Sequence, residues 1–156
     1  MSLPYQKILL PLDGSETAAQ ALPHARELAA QSGAELVLFQ VIPEAGDELV
    51  FTPEFRINQP GMAQQEVVTQ HASTVLQRLA DDLTRQKIAT RVILDTGEPA
   101  AKIVDYATNH GIDLIVMSTH GRTGLARWAY GSVASKVLGA APCPVLLVRP
   151  KLAERK

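Results

Sequence analysis

Several things are scarce in this chain, and each scarcity excludes a class of protein. There is one cysteine, Cys143, in 156 residues. No intrachain disulfide can form, so a disulfide-stapled scaffold is excluded and a reducing compartment is the natural setting. Net charge is nearly absent: 15 basic residues face 16 acidic ones, leaving −1. No bulk positive field exists to gather nucleic acid or an anionic membrane. Long apolar runs are missing too, and nothing approaches the roughly 18 residues of a membrane span. The opening MSLPYQKILLPLDG does not read as a signal peptide, because Lys7 interrupts its apolar stretch and Asp13 follows closely. The expectation is a soluble, cytoplasmic protein. Repeats and low-complexity tracts are also absent, as are a Ser-His-Asp arrangement and paired carboxylates. His24, His71 and His110 show no metal-ligand spacing.

What is present is an ordinary globular balance, 46% hydrophobic and 20% charged. The length suits one domain, read here as 1–150 with a short charged tail at 151–156. Such a chain can bury roughly 70% of its unfolded surface. Five short runs read as strands: KILLPLD (7–13), ELVLFQVI (35–42), TRVILDT (90–96), DLIVMS (113–118) and PVLLVRP (144–150). They are apolar on both faces, the pattern of parallel strands covered on both sides. Helical patterns lie between them. Ser15 can cap a helix with Ala18, Leu22, Ala25 and Ala29 on one face, ended by Gly33; Pro23 inside it predicts a kink. A second helix spans about 62–87, with the stripe Ala72, Leu76, Leu79 and Leu83. A third opens at Glu98-Pro99, faces Ile103 and Ala107 inward and closes at Gly111; a fourth covers about 131–139, with Val133 and Val137 inward.

Strict β-α alternation predicts an α/β fold, a doubly wound parallel five-stranded sheet with right-handed crossovers and helices on both faces. Ligands in such sheets sit outside the carboxyl ends of the strands, where the strand order reverses. The candidate site loops are then 13–15, 41–43, 95–97 and 118–131. The connection 43–61, with three prolines, is long for a compact domain, and either a functional segment bearing Phe51 and Phe55 or a disordered insertion fits it.

The richest loop is MSTHGRTGLARWAYGS, Met117 to Ser132. Strand, glycine-rich loop, then helix is the architecture of an anion site. Glycines admit a phosphate close to the backbone, and a helix N-terminus adds unsatisfied N–H groups and partial positive charge. Ser132 can cap that helix and donate to a phosphate oxygen, while Arg122 and Arg127 add charge. The same turn also occurs in α/β proteins that bind nothing. Neither G-x-x-x-x-G-K-[ST] nor a G-x-G-x-x-G after the first strand is present.

Taken together, KILLPLDGSETAAQAL, GEPAAKIVDYA, DLIVMSTHGRTGLARWAYGSVASKVL and PCPVLLVRP resemble the universal stress proteins over nearly the whole chain. Nucleotide-binding members of that family carry G-x2-G-x9-G-[ST]. Gly121 matches the middle glycine, nine residues separate it from Gly131-Ser132, and Ser118 stands where the first glycine would be. The resemblance implies a Rossmann-like, adenine nucleotide alpha hydrolase-like fold with strand order 3-2-1-4-5. It also implies a site for ATP or a related adenine nucleotide, usually with a divalent metal such as Mg2+ or Mn2+. By that resemblance Asp13 meets the ribose, and Pro11 and Val41 flank the adenine. Met117, Ser118 and His120 line the ribose and first phosphates, while Gly121, Arg122, Gly131, Ser132 and Val133 hold the phosphate chain. Bland readings stand beside these: Asp13 as a turn residue, His120 as an exposed imidazole, Arg127 and Trp128 as surface, and Cys143 as structural.

Hydrolysis needs an oriented water and charge at the γ-phosphate. Only His120 could serve as acid or base in the loop, so little or no turnover is expected, and the resemblance implies a nucleotide-dependent stress sensor or regulator. The alternatives are a slow ATPase, an ATP-pyrophosphatase (for which LDGSE at 12–16 is a faint match), and a partner-binding scaffold that has lost its nucleotide. An apolar last strand at a sheet edge invites pairing with another copy. The resemblance likewise implies a homodimer through 144–150.

Overall fold

The computed structural model describes residues 4–44, 62–120 and 130–151, with the side chains of 62–64 excepted. In chain order the elements are β1 (Lys7–Leu12), α1 (Glu16–Ala19), α2 (Leu22–Ser32), β2 (Glu35–Ile42), α3 (Met62–Arg85), β3 (Thr90–Thr96), α4 (Pro99–Asn109), β4 (Leu114–Ser118), α5 (Ser132–Ala140) and β5 (Val145–Val148). All strand pairings are parallel. The sheet has five strands in the order β3-β2-β1-β4-β5. The doubly wound topology is as the β-α alternation predicts, and the strand order is the one the resemblance implies.

Alternation along each strand sends successive side chains to opposite faces, so two cores form. One contains Ile8, Leu10, Leu36, Leu38, Leu114 and Val116, packed against Ala25 and Ala29 of α2 and Leu76, Ala80 and Leu83 of α3. The other contains Leu9, Val37, Phe39, Ile115 and Met117, packed against Ile103 and Ala107 of α4 and Ala134 and Val137 of α5. The small alanines let the helix backbones lie close to the sheet.

Coverage on both faces holds for β1, β2 and β4 but not for the two outer strands. β3 is only partly buried along its length, and β5 buries only Val148 fully. An edge strand has a neighbour on one side, so its apolar composition does not guarantee burial.

The helix expected from Ser15 to Gly33 is two helices rather than one kinked helix. Ser15 caps α1 by accepting from Ala18 N at 3.0 Å. The chain then tightens: Gln20 N reaches Thr17 O at 3.3 Å and Ala21 N reaches Ala18 O at 3.2 Å. These i→i+3 bonds close α1 and let α2 begin at Leu22. Pro23 thereby falls in the first turn of a new helix, where its missing N–H has no acceptor to lose. The break removes the clash that a proline would cause inside a continuous helix. The expected inward face survives it, with Ala18, Ala25 and Ala29 buried.

At the far end of α3, Lys87 adopts a left-handed conformation with φ 63°. Ile88 N returns to Leu83 O at 3.0 Å, the long bond of a glycine-type helix terminus. A lysine there bears a Cβ penalty that glycine lacks. Lys87→Gly is therefore expected to raise stability by about 1 kcal/mol. A higher urea midpoint with an unchanged m-value is the check; a lowered midpoint would refute it.

Glu98 caps α4, accepting from Ala101 N at 2.7 Å and from Ala100 N at 3.3 Å. Those backbone donors, Ala101 foremost, hold its carboxyl below the ordinary carboxylate value, and Lys136 at 3.6 Å adds to the effect. A depressed pKa gives stability that is present above the unfolded value and lost as pH falls through the folded one. Glu98→Gln keeps an acceptor oxygen and loses the charge. It is expected to cost roughly 0.5 kcal/mol at neutral pH. The difference from the parent should start to shrink as pH falls below the ordinary glutamate value of about 4.3 and vanish only once pH has passed through the depressed folded one, as followed by urea denaturation across pH. A difference that is constant with pH would refute the charge assignment.

Candidate functional site

Register places the site. β1 pairs Pro11 with Phe39 and Leu12 with Gln40 of β2, and Leu9 with Ile115 of β4. Continuing these registers sets Pro11 level with Met117, and Asp13 level with Val41 on one side and Thr119 on the other. Side-chain alternation sends Pro11, Val41 and Met117 to the same face as Leu9, Phe39 and Ile115, the face covered by α4 and α5. Pro11 and Met117 are buried, and Val41 is partly so. Val133, in the first turn of α5, packs against the same core. The result is an apolar shelf at the carboxyl ends of β1, β2 and β4, with Asp13 on its rim.

Asp13 lies just past β1 and is held in an Asx-type turn. Its Oδ1 accepts from Ser15 N at 2.9 Å and from Ser15 Oγ at 2.5 Å. The turn and capping role read from the sequence is thus real. It also fixes the carboxylate at the end of β1, beside the shelf.

Across the shelf, Thr119 ties three elements together. Its N–H donates to Val148 O at 2.9 Å, and its carbonyl accepts from Gly131 N at 2.7 Å. Its Oγ1 lies 3.0 Å from His120 Nδ1. Thr119 is buried. It is not among the candidates the sequence offers, because a threonine's value here lies in its main-chain bonds, which leave no mark in a motif.

Gly131 is glycine because of this contact and not because of its dihedrals, since φ is −60°. A Cβ added there would stand 3.0 Å from Thr119 O and 3.5 Å from His120 Cα. The carbonyl is backbone and cannot swing away cheaply. Gly131 is also the N-cap of α5, with Ser135 N donating to its carbonyl at 2.9 Å. The expectation that Ser132 caps this helix is corrected: Ser132 is its first helical residue and exposed, and the N-cap is Gly131, which has no side chain to cap with. The chain must pass close to Thr119 before it can turn, and only residue 131 is small enough to sit there. The first N–H groups of α5 thus take no cap from the Gly131 side of the chain, because a glycine has no side chain to offer.

Ser118 stands where the glycine motif departs from its pattern. It ends β4 with its side chain on the face opposite Met117, and its Oγ accepts from His120 N at 3.4 Å. Its Cβ therefore points away from the shelf. Gly121 and Arg122 lie outside the described residues, as do Gly124, Arg127 and Trp128, and so do Phe51 and Phe55 of the long connection. Among the described residues, no three His, Cys, Asp or Glu side chains come together to hold a metal ion. Cys143 is partly buried, and burial pushes its thiol up from the ordinary value, with Asp113 adding to the effect. That disfavours the reactive thiolate.

The universal stress protein family model matches residues 4–149. The chain belongs to the universal stress protein family. It is similar to universal stress protein YxiE of Bacillus subtilis, 32% identical over 151 residues that cover 93% of this chain and 99% of that one. The solved structure of MJ0577, a universal stress protein of Methanocaldococcus jannaschii, superposes with a TM-score of 0.80 at 31% identity, covering 97% of this chain and all of that one. The Archaeoglobus fulgidus universal stress protein solved in complex with dAMP shares the fold at 21% identity, with a TM-score of 0.64 and coverage of 94% and 100%. No helix among the described residues of this family member is long and apolar enough to cross a membrane.

The contact at Gly131 yields a paired prediction. Gly131→Val is expected to cost about 1–3 kcal/mol through overpacking against Thr119. Gly139→Ala, where an added Cβ meets nothing, is expected to stabilise α5 by roughly 0.5–1 kcal/mol. Urea denaturation of the two variants checks both signs, and a neutral Gly131→Val would refute the close-packing account.

Proposed function

We propose that this universal stress protein binds an adenine nucleotide, ATP with Mg2+ or Mn2+, and acts as a nucleotide-dependent regulator of the stress response with little or no turnover. One observation carries the reading: Pro11, Asp13, Val41 and Met117 share one sheet face at the point where strand order reverses, opposite the first turn of α5. An apolar shelf suits a purine ring. A carboxylate on its rim suits the two hydroxyls of a ribose. N–H groups at a helix start whose N-cap is a glycine suit phosphates. The dAMP complex of the Archaeoglobus relative supports an adenine nucleotide as the ligand class for this fold.

In the same reading His120 lines the early phosphates, and Gly121, Arg122, Ser132 and Val133 complete the phosphate cradle. Ser118 contributes backbone only. A divalent ion would arrive with the phosphates, because the described residues offer no cluster for it, and it would neutralise their charge. His120 is the sole imidazole at the site, and its Nδ1 is engaged by Thr119 Oγ1. A general acid or base must also be aimed at the proton it moves, and this engagement ties the ring to the chain beside it, which supports binding without fast hydrolysis. The reading extends to a homodimer in the cytoplasm, paired along β5. That strand is an edge, and its Leu146 is 38% exposed.

The test is calorimetric titration of ATP with Mg2+, followed by chromatography of the incubated nucleotide. Binding is expected, with ATP intact over hours, and Asp13→Ala is expected to weaken binding at least about tenfold, roughly 1.4 kcal/mol. Absence of binding heat in the parent would overturn the reading, and ADP accumulating over that time would convert the regulator into an ATPase.

A further inference from the structure

Gln20, at the C-cap of α1, is joined to a residue 131 positions away. Its side-chain Nε2 donates to Lys151 O at 3.0 Å, and its Oε1 accepts from Lys151 N at 2.6 Å. The amide thus offers Lys151 the donor and acceptor that a neighbouring strand would offer, and it holds the segment just past β5. Three residues before Lys151, Val148 O accepts from Thr119 N at 2.9 Å. The end of β5 is therefore gripped from both sides of the candidate site, by the chain leaving β1 and by the chain leaving β4.

The first of these grips is linked to the site by a short series of bonds. Asp13 Oδ1 holds Ser15 N and Oγ, and Ser15 Oγ caps Ala18 N. Ala18 is buried and anchors α1, a single turn, which carries Gln20 at its end. A helix that short moves as one piece. The clasp itself lies at the surface, where two water-competed hydrogen bonds are set against the lost freedom of a long side chain. Such a contact is close to balance, so a small bias at one end shifts its population.

We propose that Gln20 couples occupation of the Asp13 site to association of this chain with a second copy along β5. A ligand that engages the Asp13 carboxylate reorients the Ser15 turn, α1 follows, and the Gln20 clasp sets how the end of β5 is presented. The coupling rests on the nucleotide and edge-pairing reading above, and it is reciprocal: association along β5 must alter ligand affinity by the same factor.

Sedimentation of the full chain, with and without ATP and Mg2+, gives the dimer dissociation constant in each state; calorimetry gives ATP affinity. In the parent, ATP is expected to change the dimer constant by about fivefold or more. In Gln20→Ala that change is expected to fall below about twofold while ATP affinity stays within about threefold of the parent's. Gln20→Glu keeps the acceptor for Lys151 N and loses the donor, and it is expected to fall between the two. ATP binding with an unchanged dimer constant in the parent overturns the coupling and leaves the nucleotide reading intact. Undiminished coupling in Gln20→Ala overturns the role of Gln20. No ATP binding, or no dimer, overturns the reading and the coupling with it.

Discussion

The parallel pairing of β1 with β4 is the constraint from which the rest of the molecule follows. β1 leaves its carboxyl end toward α1 and α2, which cover one face of the sheet, while β4 leaves toward α5, which covers the other. Two adjacent strands whose continuations depart to opposite faces cannot close the gap between them. An opening at their carboxyl ends is therefore a topological necessity of the order β3-β2-β1-β4-β5. The residues on that rim are Asp13 and Thr119, and the shelf beneath them is built from Pro11, Val41 and Met117. Burying the central strands on both faces makes this arrangement rigid, since β1 and β4 contribute side chains to both cores.

Rigidity below the rim allows precision on it. Asp13 is not a free carboxylate on a loose loop; two donors from Ser15 set its direction. Gly131 is brought to Thr119 by a 2.7 Å backbone bond that leaves no room for a Cβ. The same Thr119 peptide fastens Val148. One buried peptide thus connects the end of β4, the start of α5 and the end of β5. In this family member the candidate binding surface and the exposed sheet edge are built from the same few residues.

Much of this was legible in one dimension. Five apolar runs of strand length alternate with 3.6-period stripes, and that alternation is enough for a doubly wound sheet. The caps at Ser15 and Glu98, the terminator at Gly33 and the α3 stripe were all legible, because they depend on neighbours within a few residues. Asp13, Gly131 and Ser132 drew notice through their chemistry and spacing. What misled was also local. Pro23 predicts a kink only if the helix is continuous, and i→i+3 bonds around Gln20 divided it instead. Ser132 predicts a cap only if the chain turns at that residue, and the approach to Thr119 made it turn one residue earlier.

The sequence by itself determined the class of fold, the end of the sheet that carries the candidate site and the residue types available there, because hydrophobic period, turn chemistry and connection order are written along the chain. Only the tertiary structure decided that Ser118 directs its Cβ away from the shelf, that Thr119 is the tie between three elements, and that Gln20 reaches Lys151 across 131 residues. Those facts depend on strand register and on which face a side chain takes. Register is set by the simultaneous packing of distant segments, and no local pattern carries it.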